Sequence, residues 1–268
     1  LIHDEVLLNI ARRVNARLAD PGVDAVVITH GTDTLEETAY FLNLVVRSHK
    51  PVVLVGAMRP ATALSADGPL NLFHAAAVAV HPDSVGKGVL VVMNDRIQAA
   101  RYVSKRHTTN VDAFAVPEQG CLGTVSGLAV RYDNVSLPRH TIQSELHISD
   151  ALLSLPAVDI VYDHQGSGVH MHQAALAAGA KGIILAGTGN GSLSASAVQG
   201  AELAAAAGVA FVRSTRVGQG SVRPSVKDPR FGTIAAQSLN PQKARILLRL
   251  ALLKTADREE LQRIFYEY

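Results

Sequence analysis

The sequence predicts an α/β fold in two domains, each a mainly parallel sheet flanked by helices, with the larger domain first. Three observations carry this expectation. Short apolar runs alternate with amphipathic segments along most of the chain, the pattern of parallel strands joined by right-handed helical crossovers. The apolar runs are β-branched and continuous rather than alternating, as in strands covered on both faces. Between the two alternating halves, Tyr132 to Pro156 carries two prolines, many polar residues and no sustained period, the mark of a linker. The domains are therefore expected at residues 1–133 and 157–268, joined by a linker over 134–156.

Taken in order, the chain enters an apparent helix almost at once. Asp24-Ala25-Val26-Val27-Ile28 is the first strand, broken by Thr29 to Asp33. A helix follows with Leu35, Ala39, Leu42 and Val46 on one face. Thr34 with Glu37 is expected to form a capping box, and Glu36 and Glu37 suit the positive end of the helix dipole. Residues 51–57 predict the next strand, the stretch after Pro69 the next helix, and residues 88–93 a third strand. The second half repeats this, with strands over 158–162, 182–186 and 209–212 and helices over 169–178 and 193–207. Asn240 caps a helix with Pro241 at its first position, on which Ile246, Leu250 and Leu253 share a face. Asp257 with Glu260 opens a short final helix.

Composition narrows the function. With 268 residues, 48% hydrophobic and 18% charged, the chain has ample material for buried cores, which excludes a disordered polymer. No apolar run approaches the ~20 residues that span a bilayer. The 25 Lys+Arg and 23 Asp+Glu leave a net charge of +2 and are scattered, so no concentrated positive face awaits nucleic-acid phosphates. Neither a membrane nor a nucleic acid is expected as partner. One cysteine, Cys121, excludes a disulfide within these residues and reads as a small buried hydrophobe. His164, His170 and His172 lie close in sequence, but no cysteine or acidic cluster completes a ligand set, so no metal is expected. In Gly187-Thr188-Gly189-Asn190-Gly191-Ser192 the sixth position is Ser, which fails the dinucleotide pattern, and no P-loop is present. Tight turns explain these glycines, and no cofactor is expected.

In open parallel sheets, ligands bind beyond the carboxyl ends of the strands. His30-Gly31-Thr32-Asp33-Thr34 occupies such an end, between a strand and a helix N-terminus. Gly31 permits close backbone approach, Thr32 offers a hydroxyl and Asp33 a carboxylate. The same residues also serve as ordinary turn and cap chemistry, and both readings stand on composition alone. A single Gly-containing turn is weak; the wider constellation is more specific. It comprises Gly56-Ala57-Met58-Arg59-Pro60, Ser65-Ala66-Asp67-Gly68-Pro69-Leu70-Asn71, Val91-Val92-Met93-Asn94-Asp95, Arg101-Tyr102-Val103-Ser104-Lys105, the Gly187–Ser192 loop and Leu239-Asn240-Pro241-Gln242-Lys243-Ala244-Arg245.

With His30–Thr34 running into Glu36-Glu37-Thr38-Ala39-Tyr40-Phe41-Leu42, these stretches resemble the bacterial-type L-asparaginase family, including the glutaminase-asparaginases. The resemblance covers essentially the whole chain and is closer to the secreted type II branch than to the cytosolic type I branch. It implies a flavodoxin-like N-terminal domain and hydrolysis of the asparagine side-chain amide to aspartate and ammonia through a threonine acyl-enzyme, with glutamine as a second candidate substrate. It further implies that Thr32, Asp33 and Lys105 form a catalytic group, with Thr32 and Asp33 also touching the substrate and Asp33 holding its α-ammonium. A Thr hydroxyl near pH 7 needs an adjacent base; a Lys serves as one only if its pKa falls, which Asp33 opposes, so the resting protonation of Lys105 stays open. Without the resemblance Lys105 reads as a solvated surface residue. Ala57 is implied to accept a hydrogen bond from the leaving amide nitrogen through its carbonyl. Ser192 is implied to serve the site of a partner subunit, or to cap a helix. His30 is given no catalytic role and is expected to order its loop. A homotetramer built as a dimer of intimate dimers, in the periplasm or secreted, completes the implied picture; a cytoplasmic location is the alternative.

The chain departs from the family pattern in two places. The Thr-Gly-Gly-Thr motif that carries the acylated threonine has no counterpart in residues 1–268 and is expected ahead of Leu1, on a central strand whose loss would leave backbone groups unpaired. In the loop Gly218–Gly232, where relatives place a Glu that approaches a partner's substrate, the only acid is Asp228. Whether Asp228 takes over is left open. The competing function is a non-catalytic amino-acid-binding module that keeps the Asp33 pocket without acylation.

Overall fold

Leu7, Leu8, Ala11, Val14 and Leu18 recur every three or four residues and bury one stripe of α1 (Asp4–Ala19), while Asp4 and Glu5 sit at its start and Arg17 at its end, complementing the helix dipole. The computed structural model describes residues 2–116 and 118–268. These form two units, Leu1–Leu153 and Ser154–Tyr268.

The β-branched runs of the first unit become β1 (Val26–Thr29), β2 (Val52–Val55) and β3 (Val89–Met93), parallel in register Val26↔Val52 and Val53↔Leu90. α2 (Leu35–Val45) and α3 (Gly68–Ala79) are the crossovers. Asn94 and Asp95 then both take positive φ, 50° and 61°, as a two-residue turn joining Met93 to its cross-strand partner Arg96 requires. That turn reverses the chain into β4 (Arg96–Ala99), antiparallel to β3. β5 (Ser104–Lys105) and β6 (Phe114–Ala115) pair as a separate ribbon. β7 (Gly123–Ser126) and β8 (Ala129–Tyr132) complete a mixed sheet ordered β1-β2-β3-β4-β7-β8. Val53, Val55, Leu90, Val92 and Ile97 pack with Ala75 and Val78 of α3 as its core; burying each large aliphatic contributes ~1.5–3 kcal/mol. Thr141–Gln143 is a short 3-10 turn.

The second unit is a parallel sheet ordered β12-β11-β10-β9. Its elements are β9 (Val158–Tyr162), α4 (His170–Ala177), β10 (Gly182–Gly187), α5 (Ala195–Ala206), β11 (Ala210–Thr215), α6 (Asp228–Phe231), β12 (Thr233–Ala235), α7 (Pro241–Ala251) and α8 (Arg258–Glu267). Ile183 and Leu185 pack with Ala197, Ala201 and Ala204 of α5. Gly182, pointing to the opposite face by the two-residue period of a strand, meets Leu248 of α7. Asn240 accepts the Lys243 N–H at 3.0 Å and Asp257 the Glu260 N–H at 2.8 Å, each capping its helix.

Three expectations are corrected. Thr34 makes no side-chain cap; the first turn of α2 closes through main-chain bonds from Glu37 and Thr38 to the Thr34 carbonyl, at 3.1 and 3.2 Å. Ser194, not Ser192, caps α5, accepting the Ala197 N–H at 3.2 Å. Cys121 is half-buried rather than a core residue. Of the clustered histidines, His172 is buried and stacked on Phe211 with ring centroids 5.8 Å apart, while His164 and His170 are exposed. Among the described residues no helix is long and apolar enough to cross a membrane, and no group of three or more His, Cys, Asp or Glu could hold a metal ion.

Candidate active site

The ends of β1 and β2 approach closely because Gly56 lacks a side chain. A Cβ there would lie 2.8 Å from the His30 carbonyl oxygen and 3.1 Å from Thr32 Cγ2. The His30 N–H extends the ladder to the Val55 carbonyl at 2.9 Å. Its ring lies 2.6 Å from the Gly31 carbonyl oxygen through Nδ1 and 2.9 Å from Thr38 Oγ1 through Nε2, tying the loop to α2. Thr32 and Asp33 thus stand at the carboxyl edge of a parallel sheet, against the Gly56-Ala57 segment, where ligands bind in such folds.

Lys105 comes to this edge from β5. Its Nζ donates to Thr32 Oγ1 at 2.9 Å and to Asp33 Oδ1 at 2.8 Å. The Lys105 side chain is 19% exposed and that of Asp33 89%, so an anchored amine meets a carboxylate open to solvent. The Lys105 hydrogen bond, then its charge, hold the Asp33 carboxyl below the ordinary value of 3.8. The amine is fixed by a group that sequence reasoning missed. Glu36, buried in the first turn of α2, accepts the Lys105 main-chain N–H at 2.6 Å and the Ser104 hydroxyl at 2.8 Å, both on Oε2. A charged acceptor makes stronger bonds than a neutral one, and these two clamp the Lys105 backbone to the helix that follows the Thr32-Asp33 loop.

Ala57 lines a cavity of about 350 Å³ together with Thr29, His30, Gly31, Val55, Gly56, Gly68 and Leu72. Asp67 holds the turn that presents it, accepting the Met58 and Arg59 N–H groups, each at 2.9 Å. Asn71 donates to Asp67 at 3.0 Å and to the Gly56 carbonyl at 3.1 Å, and accepts the Asn94 N–H at 3.1 Å. Burial pushes the Asp67 carboxyl up, but these N–H donors outweigh it and the net is below the ordinary value. The signal was present as an Asp and an Asn four residues apart at a helix start, facing one way.

Ser192 belongs to the second unit. Its N–H donates to the Thr188 carbonyl at 2.9 Å, closing the Gly187–Ser192 turn. Asp228 is not available to an amine. Its Oδ1 accepts from Arg213 Nε at 2.7 Å and Thr233 Oγ1 at 2.5 Å, and its Oδ2 from Arg213 Nη2 at 2.8 Å and the Ser225 N–H at 2.6 Å. Burial raises its carboxyl, and these four donors more than reverse that.

The family model described as "Asparaginase, N-terminal" matches residues 1–137, and that described as "Glutaminase/Asparaginase C-terminal domain" matches residues 157–265. The chain is 52% identical over 267 residues to L-asparaginase 2 of Bacillus subtilis, covering 100% of this chain and 71% of that protein. It is 49% identical to the glutaminase-asparaginase of Acinetobacter glutaminasificans, covering 100% of this chain and 82% of that one. The crystal structure of a probable cytoplasmic L-asparaginase from Campylobacter jejuni superposes with a TM-score of 0.97 at 46% identity, over 100% of this chain and 87% of that chain.

Proposed function

We propose that this chain, which belongs to the asparaginase/glutaminase family, is an amidohydrolase that releases ammonia from the side-chain amide of L-asparagine, with glutamine as a second substrate. The observation that carries the reading is Lys105 Nζ within hydrogen-bond reach of both Thr32 and Asp33, at 2.9 and 2.8 Å, beside the loop that presents Ala57.

Each group then has a task. A zwitterionic substrate brings an α-ammonium, and Asp33, held ionised below the ordinary carboxylate value, pairs with it through a charge-assisted hydrogen bond. The Ala57 carbonyl accepts from the amide –NH₂, orienting the leaving nitrogen. Lys105 donates to Thr32 Oγ1, which turns the Thr32 hydroxyl hydrogen away from the amine and toward the reacting atoms. As the amide C–N bond breaks, Thr32 passes a proton to the departing nitrogen and Lys105 replaces it, so ammonia leaves neutral. The acyl group passes to a threonine hydroxyl of the kind the family resemblance implies, whose proton enters the same relay. Water then cleaves the ester, giving aspartate and restoring the threonine. Family resemblance also supports Ser192 as a contributor to a partner subunit's site within a homotetramer.

The test incubates protein shown by amino-terminal sequencing to carry that threonine with L-asparagine and, separately, L-glutamine, following ammonia and the acidic product. Equimolar ammonia and aspartate supports the reading. Calorimetric binding of asparagine without ammonia would replace it with an amino-acid-binding module, and neither binding nor release would remove both.

A further inference from the structure

We propose, on the amide-hydrolysis reading above, that Asp67 and Asn71 are positioning residues for the leaving nitrogen, acting by fixing and polarising the peptide unit that carries the Ala57 carbonyl.

Two peptide planes meet at the Ala57 Cα, and this pair holds both. The first joins the Gly56 carbonyl to the Ala57 N–H, and Asn71 Nδ2 donates to its oxygen at 3.1 Å. The second joins the Ala57 carbonyl to the Met58 N–H, and Asp67 Oδ2 accepts from that N–H at 2.9 Å. A peptide unit is planar and trans, so its C=O and N–H point in opposite directions. Asp67 therefore sets the direction of the Ala57 oxygen without touching it. The Arg59 N–H, bonded to Asp67 Oδ1 at 2.9 Å, ties the next plane to the same carboxylate. Only the two torsions of a residue are soft, and at Ala57 the planes on either side of both are anchored.

The pair is itself held in place. Asn71 is 3% exposed. Its Nδ2 also donates to Asp67 Oδ2 at 3.0 Å, and its Oδ1 accepts the Asn94 N–H, at the end of β3, at 3.1 Å. An –NH₂ facing a carbonyl and a carboxylate, with an oxygen facing an N–H, leaves the amide one orientation. Asp67 stands at the N-cap of α3, where an Asp ordinarily caps the helix, yet it makes no side-chain cap. Its carboxylate is turned to the Ala57 segment instead. Gly68 lets the start of α3 lie against that segment, since a Cβ there would sit 3.3 Å from the Ala57 Cβ.

Charge adds to geometry. A carboxylate accepting the Met58 N–H polarises the peptide unit and makes the Ala57 oxygen a stronger acceptor. The leaving nitrogen gains positive charge as it takes its proton from Thr32. An oxygen fixed in advance where that charge develops stabilises the transition state more than the ground state.

The experiment compares kcat/KM for L-asparagine with that for the β-methyl ester of L-aspartate, in wild type, Asp67→Asn and Asn71→Ser, on protein sequenced as for the amide assay. The ester keeps the α-ammonium, the α-carboxylate and the need for a proton from Thr32, but its leaving oxygen carries no hydrogen to donate to Ala57. Each variant is expected to lose at least about tenfold on asparagine, the scale of a hydrogen bond involving a charged group, and at most about threefold on the ester, which never makes that bond. Equal losses on the two substrates would show a merely structural role and overturn the proposal, as would unchanged turnover of asparagine. Should Asn71→Ser fail to fold, Asp67→Asn, which keeps the shape of its side chain, decides by the same comparison. Wild-type protein that cleaves neither substrate would instead remove the amide-hydrolysis reading, and this proposal with it.

Discussion

Replacing Lys105 by Met keeps an unbranched apolar stem and removes only the amine, with its bonds of 2.9 Å to Thr32 and 2.8 Å to Asp33. The fold should barely respond. Asp33 is 89% exposed, so it rehydrates when its partner goes, and such solvent-exposed pairs contribute little to stability. The β5 main chain keeps its bonds to Glu36, since these come from the Lys105 N–H and from Ser104. Turnover should respond strongly. Losing a positioned acid–base group lowers kcat by roughly 10²–10⁴, equal to about 2.7–5.4 kcal/mol of barrier at 1.36 kcal/mol per tenfold. The assay is initial-rate ammonia release from L-asparagine, with thermal unfolding as control and Tm expected within ~4 °C of wild type. A Lys105→Met protein with kcat within about threefold of wild type, well short of the loss expected for an acid–base group, would refute the relay.

Other outcomes follow from the same geometry. Asp33→Ala should raise KM for asparagine steeply, by on the order of 10²-fold for a lost charge-assisted bond, with a smaller change in kcat; an unchanged KM would remove its role toward the ammonium. Glu36→Gln keeps an acceptor but not the charge, and should lower kcat about tenfold at constant KM by loosening the placement of Lys105, with Glu36→Ala worse; a shift in KM alone would point elsewhere. Asp228→Asn should destabilise the second unit by ~3–5 kcal/mol at neutral pH by leaving Arg213 buried without its counter-charge. The wild-type Asp228 carboxyl titrates below 3.8 when folded, so its contribution is complete above that pH and is lost as pH falls through the lowered value. Urea unfolding should therefore show the gap between wild type and variant narrowing only below pH 3.8; a gap that closes near neutrality would contradict the assignment.

What could be read from the amino acids alone depended on how local the physical cause was. Parallel strands such as β2 and β3 are buried on both faces and announce themselves as unbroken Val and Leu runs. β4, β7 and β8 were missed because they are four residues each and carry polar side chains such as Arg96, Thr124 and Arg131, too short for a period to register. The sole local sign of the reversal was Asn94-Asp95, two residues that tolerate positive φ. Thr34 was expected to cap α2 because its spacing to Glu37 fits a capping box, yet main-chain bonds close that turn. At the site, Thr32 and Asp33 stood out at a strand end, whereas Lys105 lies 73 residues from Thr32, and only likeness to a family pointed to it. Glu36 read as a dipole acid, because its partners on β5 are 68 and 69 residues away. Asp228 stood as the only acid of its loop with its role left open, and the donors that occupy it, Arg213, Thr233 and Ser225, lie outside any local pattern.

The most direct measurement is the kcat of Thr32→Val/Lys105→Met beside those of the two single variants, on L-asparagine at saturation. Groups that hand over one proton act as a unit, so their losses do not add. The double variant should be no more than about threefold slower than the slower single variant, with a coupling term close to the smaller of the two losses. Losses that multiply would show the hydroxyl and the amine working independently and would contradict the relay.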